Sequence, residues 1–302
     1  MLGVELPIVQ APMGWIARSQ LASAVSNAGG MGIIETSSGE LDAIKVEIKK
    51  MRDLTDKPFG VNIAQAFVRD PNIVQFVIDQ GIKFVTTSAG SPMKYTADLK
   101  AGGLMVFHVV PTLAAALKAV AAGVDGLIVE GGEGGGFKNP NDVASMVLLP
   151  LVRSKVDVPI IAAGGFIDGK TMAAAFSLGA EGIQMGTRMV SAAESPVHDN
   201  WKNAIADAKE TGSVFLNKFH SPALRALRTE RTSRLERDPE TNAMSEFGSA
   251  LDLYFGGDME AAIPLSGQVA GRIESVKPVA EILAETQAEF FETISSLAGS
   301  YL

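Results

Sequence analysis

Between residues 158 and 190 two short apolar runs each end in glycine. The first, Pro159-Ile160-Ile161-Ala162-Ala163, runs into Gly164-Gly165; the second, Gly182-Ile183-Gln184-Met185, runs into Gly186-Thr187. A glycine corner lets backbone N–H groups approach an anion because no Cβ stands in the way. Read as strand, turn, helix, strand, turn, the stretch sets two such corners at the C-terminal ends of neighbouring parallel strands. Side by side they make a phosphate cradle, the arrangement found after the seventh and eighth strands of many (β/α)8 barrels. One Gly-Gly is an ordinary tight turn; the pair, in this order and late in the chain, points to a phosphate.

Other residue groups stand where they could serve the same site. Ala11-Pro12-Met13-Gly14 follows the first apolar run, in a turn whose amides could face a ring system. Asn62 ends another run, and its amide both donates and accepts, as the edge of a heterocycle requires; a capping role fits it equally well. His108 ends a third, where a lone histidine serves more often as a hydrogen-bonded structural residue than as a proton carrier. Residues 130–140, Glu-Gly-Gly-Glu-Gly-Gly-Gly-Phe-Lys-Asn-Pro, form a loop rich enough in glycine to lie close against a ligand. A late turn, Ser266-Gly267-Gln268-Val269-Ala270-Gly271, precedes a closing helical stretch and could present its backbone to the same mouth.

Composition narrows the chemistry. The chain has 302 residues, 47% hydrophobic and 20% charged, enough for a full α/β core. Its net charge of −8, with lysine and arginine scattered, argues against a nucleic-acid partner and for a small molecule. With no cysteine, disulfide redox, iron–sulfur clusters and thiol nucleophiles are excluded. The three histidines, His108, His198 and His220, lack metal-ligand spacing, so any redox reaction needs a borrowed organic cofactor. No apolar run is long enough to span a bilayer and no basic-then-apolar leader opens the chain, so a soluble cytoplasmic protein is expected.

The elements that must position these residues follow a βα rhythm. Strands are predicted over residues 7–11, 32–35, 59–63, 84–87, 104–109, 126–129, 160–163 and 182–185, with helices over 18–27, 41–53, 72–80, 112–121, 145–153 and 169–178. Continuous apolar strands separated by helices call for a parallel sheet, and eight units for closure into a (β/α)8 TIM barrel. An open dinucleotide-binding sheet would want G-x-G-x-x-G after the first strand, where the chain has Ala11-Pro12-Met13-Gly14. A helix is expected over 195–209 with Pro196 in its first turn. Residues 1–210 and 260–302 are expected to form the barrel and closing helices, and 211–259 a helical or irregular insertion near the mouth. Its basic run, 225–234, reads as a solvated or salt-bridged helical face. Closing helices after a barrel make a homodimer an expectation.

Together these segments resemble the nitronate monooxygenase (2-nitropropane dioxygenase) family of FMN-dependent barrels. That family also includes flavin NAD(P)H:quinone reductases and the FMN-containing enoyl-acyl-carrier-protein reductase. The likeness spans nearly the whole chain, from residues 7–13 and 58–62 through the glycine loop to 163–166, 185–188 and 266–271. The resemblance implies that Ala11, Pro12, Met13 and Asn62 lie along the isoalloxazine, with Gly134 and Gly135 approaching it from the loop. It also implies that Gly164, Gly165, Gly186 and Thr187 take the FMN phosphate, and that Gln268 contributes from the late turn.

One departure bears on the reaction. The family's glycine loop ends Gly-Gly-His, a histidine associated with substrate binding or proton abstraction; here the position is Phe137. Phenylalanine moves no proton, which leaves His108 or solvent for that role. The function the resemblance implies is that of an FMN-dependent oxidoreductase of nitronate monooxygenase type, oxidising alkyl nitronates with dioxygen, which this loss leaves possible because a nitronate is already an anion. The alternatives are an NAD(P)H-dependent flavin reductase acting on an enoyl thioester or quinone, and a catalytically weak flavin-binding protein.

Overall fold

The computed structural model describes residues 1–39 and 41–301. Eight parallel strands form the main sheet: β1 (Ile8–Gln10), β2 (Gly32–Ile34), β3 (Phe59–Ala64), β4 (Phe84–Ser88), β5 (Met105–Val110), β6 (Gly126–Glu130), β8 (Ile160–Ala163) and β9 (Gly182–Met185). Their order, β1-β9-β8-β6-β5-β4-β3-β2, is that of a (β/α)8 barrel. The ring closes between β1 and β2, where Gln10 N–H donates to Met31 O at 3.0 Å and Met31 N–H to Ile8 O at 2.9 Å. All eight expected barrel strands are present, each within two residues of its predicted bounds.

Period-2 alternation sorts the strand residues into two cores. Val9, Ile33, Phe84, Phe107, Ile128 and Ile161 fill the barrel interior, where the Phe84 and Phe107 rings meet edge to face at 5.3 Å. Their neighbours Ile8, Ile34, Val85, Val106, Leu127 and Ile160 face outward and pack under the helices. The closing helix Val279–Tyr301 lies against Gly169–Ser177, where Phe290 meets Phe176 at 5.1 Å. Among the described residues no helix is long and apolar enough to cross a membrane.

The structure departs from the sequence reading in the connections. A helix, Thr96–Ala101, fills the gap between β4 and β5, where no cue was read. The helix expected over 195–209 runs Asp199–Ala206; its cap is His198, whose Nδ1 accepts from Asn200 N–H at 3.1 Å, and Pro196 lies before it. A second sheet, antiparallel and three-stranded, joins β7 (Gly136–Lys138), β11 (Ala223–Leu227) and β10 (Ser213–Leu216). Part of segment 211–259 is therefore strand, and it pairs with the far end of the glycine loop. The basic run is divided accordingly: Arg225 lies buried in β11, and only Glu230–Arg237 is helix.

Candidate functional site

Each barrel strand delivers its last residues to one end, and a cavity of about 670 Å³ opens there, in the size range of small-molecule sites. Ala11, Pro12, Met13, Asn62, His108, Gly134, Gly135, Phe137, Gly164, Gly165, Gly186 and Thr187 all line it. Gln268 does not: it is exposed, its backbone N–H donates to Glu133 O at 2.9 Å, and its neighbours Gly267 and Val269 face the cavity instead. The offset of one residue on either side follows naturally in a turn whose backbone, and not its side chain, approaches the site.

The two glycine corners stand next to each other because β8 and β9 pair directly, Ala163 opposite Gln184. Gly164 and Gly165 have φ of +80° and +98°, the left-handed region that a side chain would strain. At Gly186 the backbone is unexceptional, and a Cβ would meet only the Ala11 Cβ at 3.6 Å. Nothing in the protein packing demands glycine there; the space its missing side chain leaves belongs to the cavity. The backbone N–H groups of Gly165, Gly186 and Thr187 find no acceptor among the described residues. Below them Gln184 points inward with its Oε1 buried and without a hydrogen-bond partner, a cost that a bound polar group would remove.

The glycine loop is held on every side. Glu133 accepts from Ser145 N–H at 3.0 Å and Ser145 Oγ at 2.7 Å, tying the loop to the helix Ser145–Arg153. Arg225 donates from Nε to Gly132 O at 2.7 Å and lies 3.5 Å from Asp142. Lys138 Nζ reaches back to Glu130 Oε1 at 2.7 Å and Gly131 O at 3.0 Å, closing the loop on itself. A Cβ on Gly135 would come within 2.6 Å of the Gly267 nitrogen, and one on Gly134 within 2.5 Å of the Glu130 carboxylate. These two glycines let protein pack on protein, a reason the expectation of close ligand approach did not include.

Asn62 and His108 are both committed inside the fold. Asn62 Nδ2 donates to Thr86 Oγ1 at 2.9 Å and to Thr86 O at 3.2 Å. His108 sits on the strand face opposite Phe107, with Nδ1 2.7 Å from Thr87 Oγ1. Burial pushes its pKa down to about 4, against a smaller opposing effect of a hydrogen bond with the Gly90 backbone, so the ring is neutral near pH 7. Phe137 lies 5.4 Å from Phe67, the two rings lining the mouth, and 6.4 Å from Phe247 behind them.

Sequence reasoning missed several cavity residues. Lys138 and Glu130 flank the glycine loop, and their opposite charges at its two ends were the available signal. Tyr254 also lines the cavity, beside Trp201 at 4.9 Å; burial first, and Glu35 second, push its phenol up to about 12, so it stays a neutral donor. No local pattern announces it.

Comparison with known proteins shows the family to which this barrel belongs. The family model described as nitronate monooxygenase matches residues 1–72 and 64–289. The chain is 39% identical over 239 residues to (3aS,4S,5R,7aS)-5-hydroxy-7a-methyl-1-oxo-octahydro-1H-indene-4-carboxyl-CoA dehydrogenase of Mycobacterium tuberculosis, covering 78% of this chain and 67% of that protein. It is 27% identical to the nitronate monooxygenase of Paraburkholderia phytofirmans, covering 98% of this chain and 95% of that one. Among solved structures, FabK from Thermotoga maritima superposes with a TM-score of 0.93 at 38% identity, over 99% of this chain and 97% of that one. The nitroalkane oxidase of Streptomyces ansochromogenes does so with a TM-score of 0.84 at 26% identity, covering 98% of each chain. The chain belongs to the nitronate monooxygenase family and is an oxidoreductase.

Proposed function

We propose that the cavity holds FMN and that the enzyme uses NAD(P)H to reduce the double bond of a 2-enoyl thioester. The fit to FMN rests on three features of the site: unpartnered N–H groups at two adjacent corners, open space over Gly186, and the orphaned amide oxygen of Gln184. Gly164, Gly165, Gly186 and Thr187 would hold the phosphate, Gly267 would close the cradle in place of Gln268, and Ala11, Pro12, Met13 and Asn62 would flank the ring. Bound there, FMN supplies a two-electron carrier that takes up and releases hydride.

The observation that carries the substrate reading is the aromatic pair Phe67 and Phe137 lining the mouth, with Phe247 packed against Phe137. It gives the mouth an apolar face suited to an acyl chain, and it puts a ring where an imidazole would abstract a proton. Hydride delivery to an enoyl thioester requires no prior proton removal from the substrate. Similarity to the CoA dehydrogenase of M. tuberculosis points the same way. Oxidation of alkyl nitronates by dioxygen is the second reading, favoured by similarity to a nitronate monooxygenase along 98% of this chain.

A yellow preparation whose anaerobic NAD(P)H oxidation depends on crotonyl-CoA, without oxygen uptake on an alkyl nitronate, supports the first reading. The reverse pattern replaces it with the second. A colourless protein that takes up no FMN removes both.

A further inference from the structure

Two lysines line the cavity, Lys118 and Lys138, and Lys138 is the buried one. Its side chain is only 2% exposed. On β7 the alternation of side chains turns Phe137 toward Phe67 and Phe247 and turns Lys138 the other way, beneath the glycine loop. There the ammonium donates to Glu130 Oε1 at 2.7 Å and to Gly131 O at 3.0 Å. An ammonium has three N–H donors, and these contacts use two. Burial keeps water from screening it, so its remaining donor acts on a charge in the cavity more strongly than an exposed ammonium would, less what Glu130 offsets. The other ionisable groups facing the space do not compete: His108 is neutral, Tyr254 is a neutral phenol, and Lys118 is exposed.

We propose that Lys138 is the oxyanion subsite of this enzyme, its free N–H donating to a conjugated substrate oxygen that carries negative charge. The inference rests on the flavin-oxidoreductase reading above but holds for both of its substrates, since they share this chemistry. When hydride adds to the β-carbon of an enoyl thioester, the electron pair of the double bond moves onto the carbonyl oxygen as an enolate, which a proton from solvent then quenches at the α-carbon. An alkyl nitronate carries the same type of charge on oxygen from the start. Glu130 sets the strength of the subsite, because its carboxylate partly neutralises the lysine it orients.

The probe is 4-nitrophenolate, a planar conjugated oxyanion that undergoes no turnover here, titrated against the FMN-loaded protein by its visible absorbance. Lys138→Met should weaken binding about ten- to a hundredfold, the range of a charge-assisted hydrogen bond. Lys138→Arg should restore part of it. Glu130→Gln keeps an oxygen for the lysine to hold but removes the opposing charge, and should tighten binding about two- to tenfold. A purely structural ion pair predicts loss in both single variants, so weaker binding in Glu130→Gln overturns the proposal. So does Lys138→Met that binds the probe as the parent does, or that loses FMN itself, which would assign the lysine to the cofactor. None of these readouts needs turnover, so a parent enzyme inactive on both substrates would sink the functional reading and leave this test intact.

Discussion

Replacing Gly186 by alanine tests the cradle most directly. The added Cβ would meet only the Ala11 Cβ, at 3.6 Å, an ordinary van der Waals contact, on a backbone at φ −103° that alanine can adopt. Folding should therefore hardly notice it, and a cost below about 0.5 kcal/mol corresponds to a shift in Tm of about 1 °C for a chain of this size. The methyl group would instead occupy the space over the unpartnered N–H groups of Gly186 and Thr187. Losing even one charge-assisted hydrogen bond there costs about 1.5–3 kcal/mol, which raises the Kd for FMN about ten- to a hundredfold. The measurement is quenching of FMN fluorescence on titration with apoprotein, beside a thermal melt without cofactor. Gly135→Ala is the contrast. Its Cβ would lie within 2.6 Å of the Gly267 nitrogen and the Ser266 carbonyl carbon, so backbone must move and the melt should fall by about 1–3 kcal/mol of stability. An alanine at 186 that binds FMN within twofold of the parent, with an unchanged melt, would place the phosphate elsewhere and refute the cradle.

Three further outcomes follow from the same geometry. The pKa of His108 is lowered on folding, so the unfolded chain takes up its proton first. Stability from this group is complete above about pH 6.5 and is lost as pH falls toward 4, by at most about 3.5 kcal/mol; urea midpoints across that window should flatten in His108→Asn. Arg225→Met removes the buried donor to Gly132 O and the partner of Asp142, and should cost about 2–3 kcal/mol in urea unfolding while weakening FMN binding through the loosened loop. Phe137→His should raise kcat/KM for a neutral nitroalkane and leave the rate on its nitronate alone; no change in either means that position 137 does not face the reacting carbon.

The barrel was legible because its strands are locally marked. Each is a short apolar run bounded by polar or glycine residues, and the cue survives without knowledge of neighbours. The antiparallel sheet was not, for a physical reason. β7 is only three residues long and begins with a glycine of the loop, so it carries no run to detect. Its partner β11 contains Arg225, which reads as solvated until Gly132 and Asp142, 93 and 83 residues away, provide its acceptors.

The residue types at the strand ends, and the glycines among them, determined the family and the barrel and pointed to the end of the barrel where the cavity opens. Tertiary structure alone decided what each residue does there. It separated the glycine whose missing side chain opens onto the cavity, Gly186, from those that leave room for protein, Gly134 and Gly135. It engaged His108 with Thr87, turned Gln268 outward and brought Lys138 back to Glu130. Direction and partnership are properties of chain segments far apart in sequence, and they exist only once the barrel has closed and the loops have packed across its mouth.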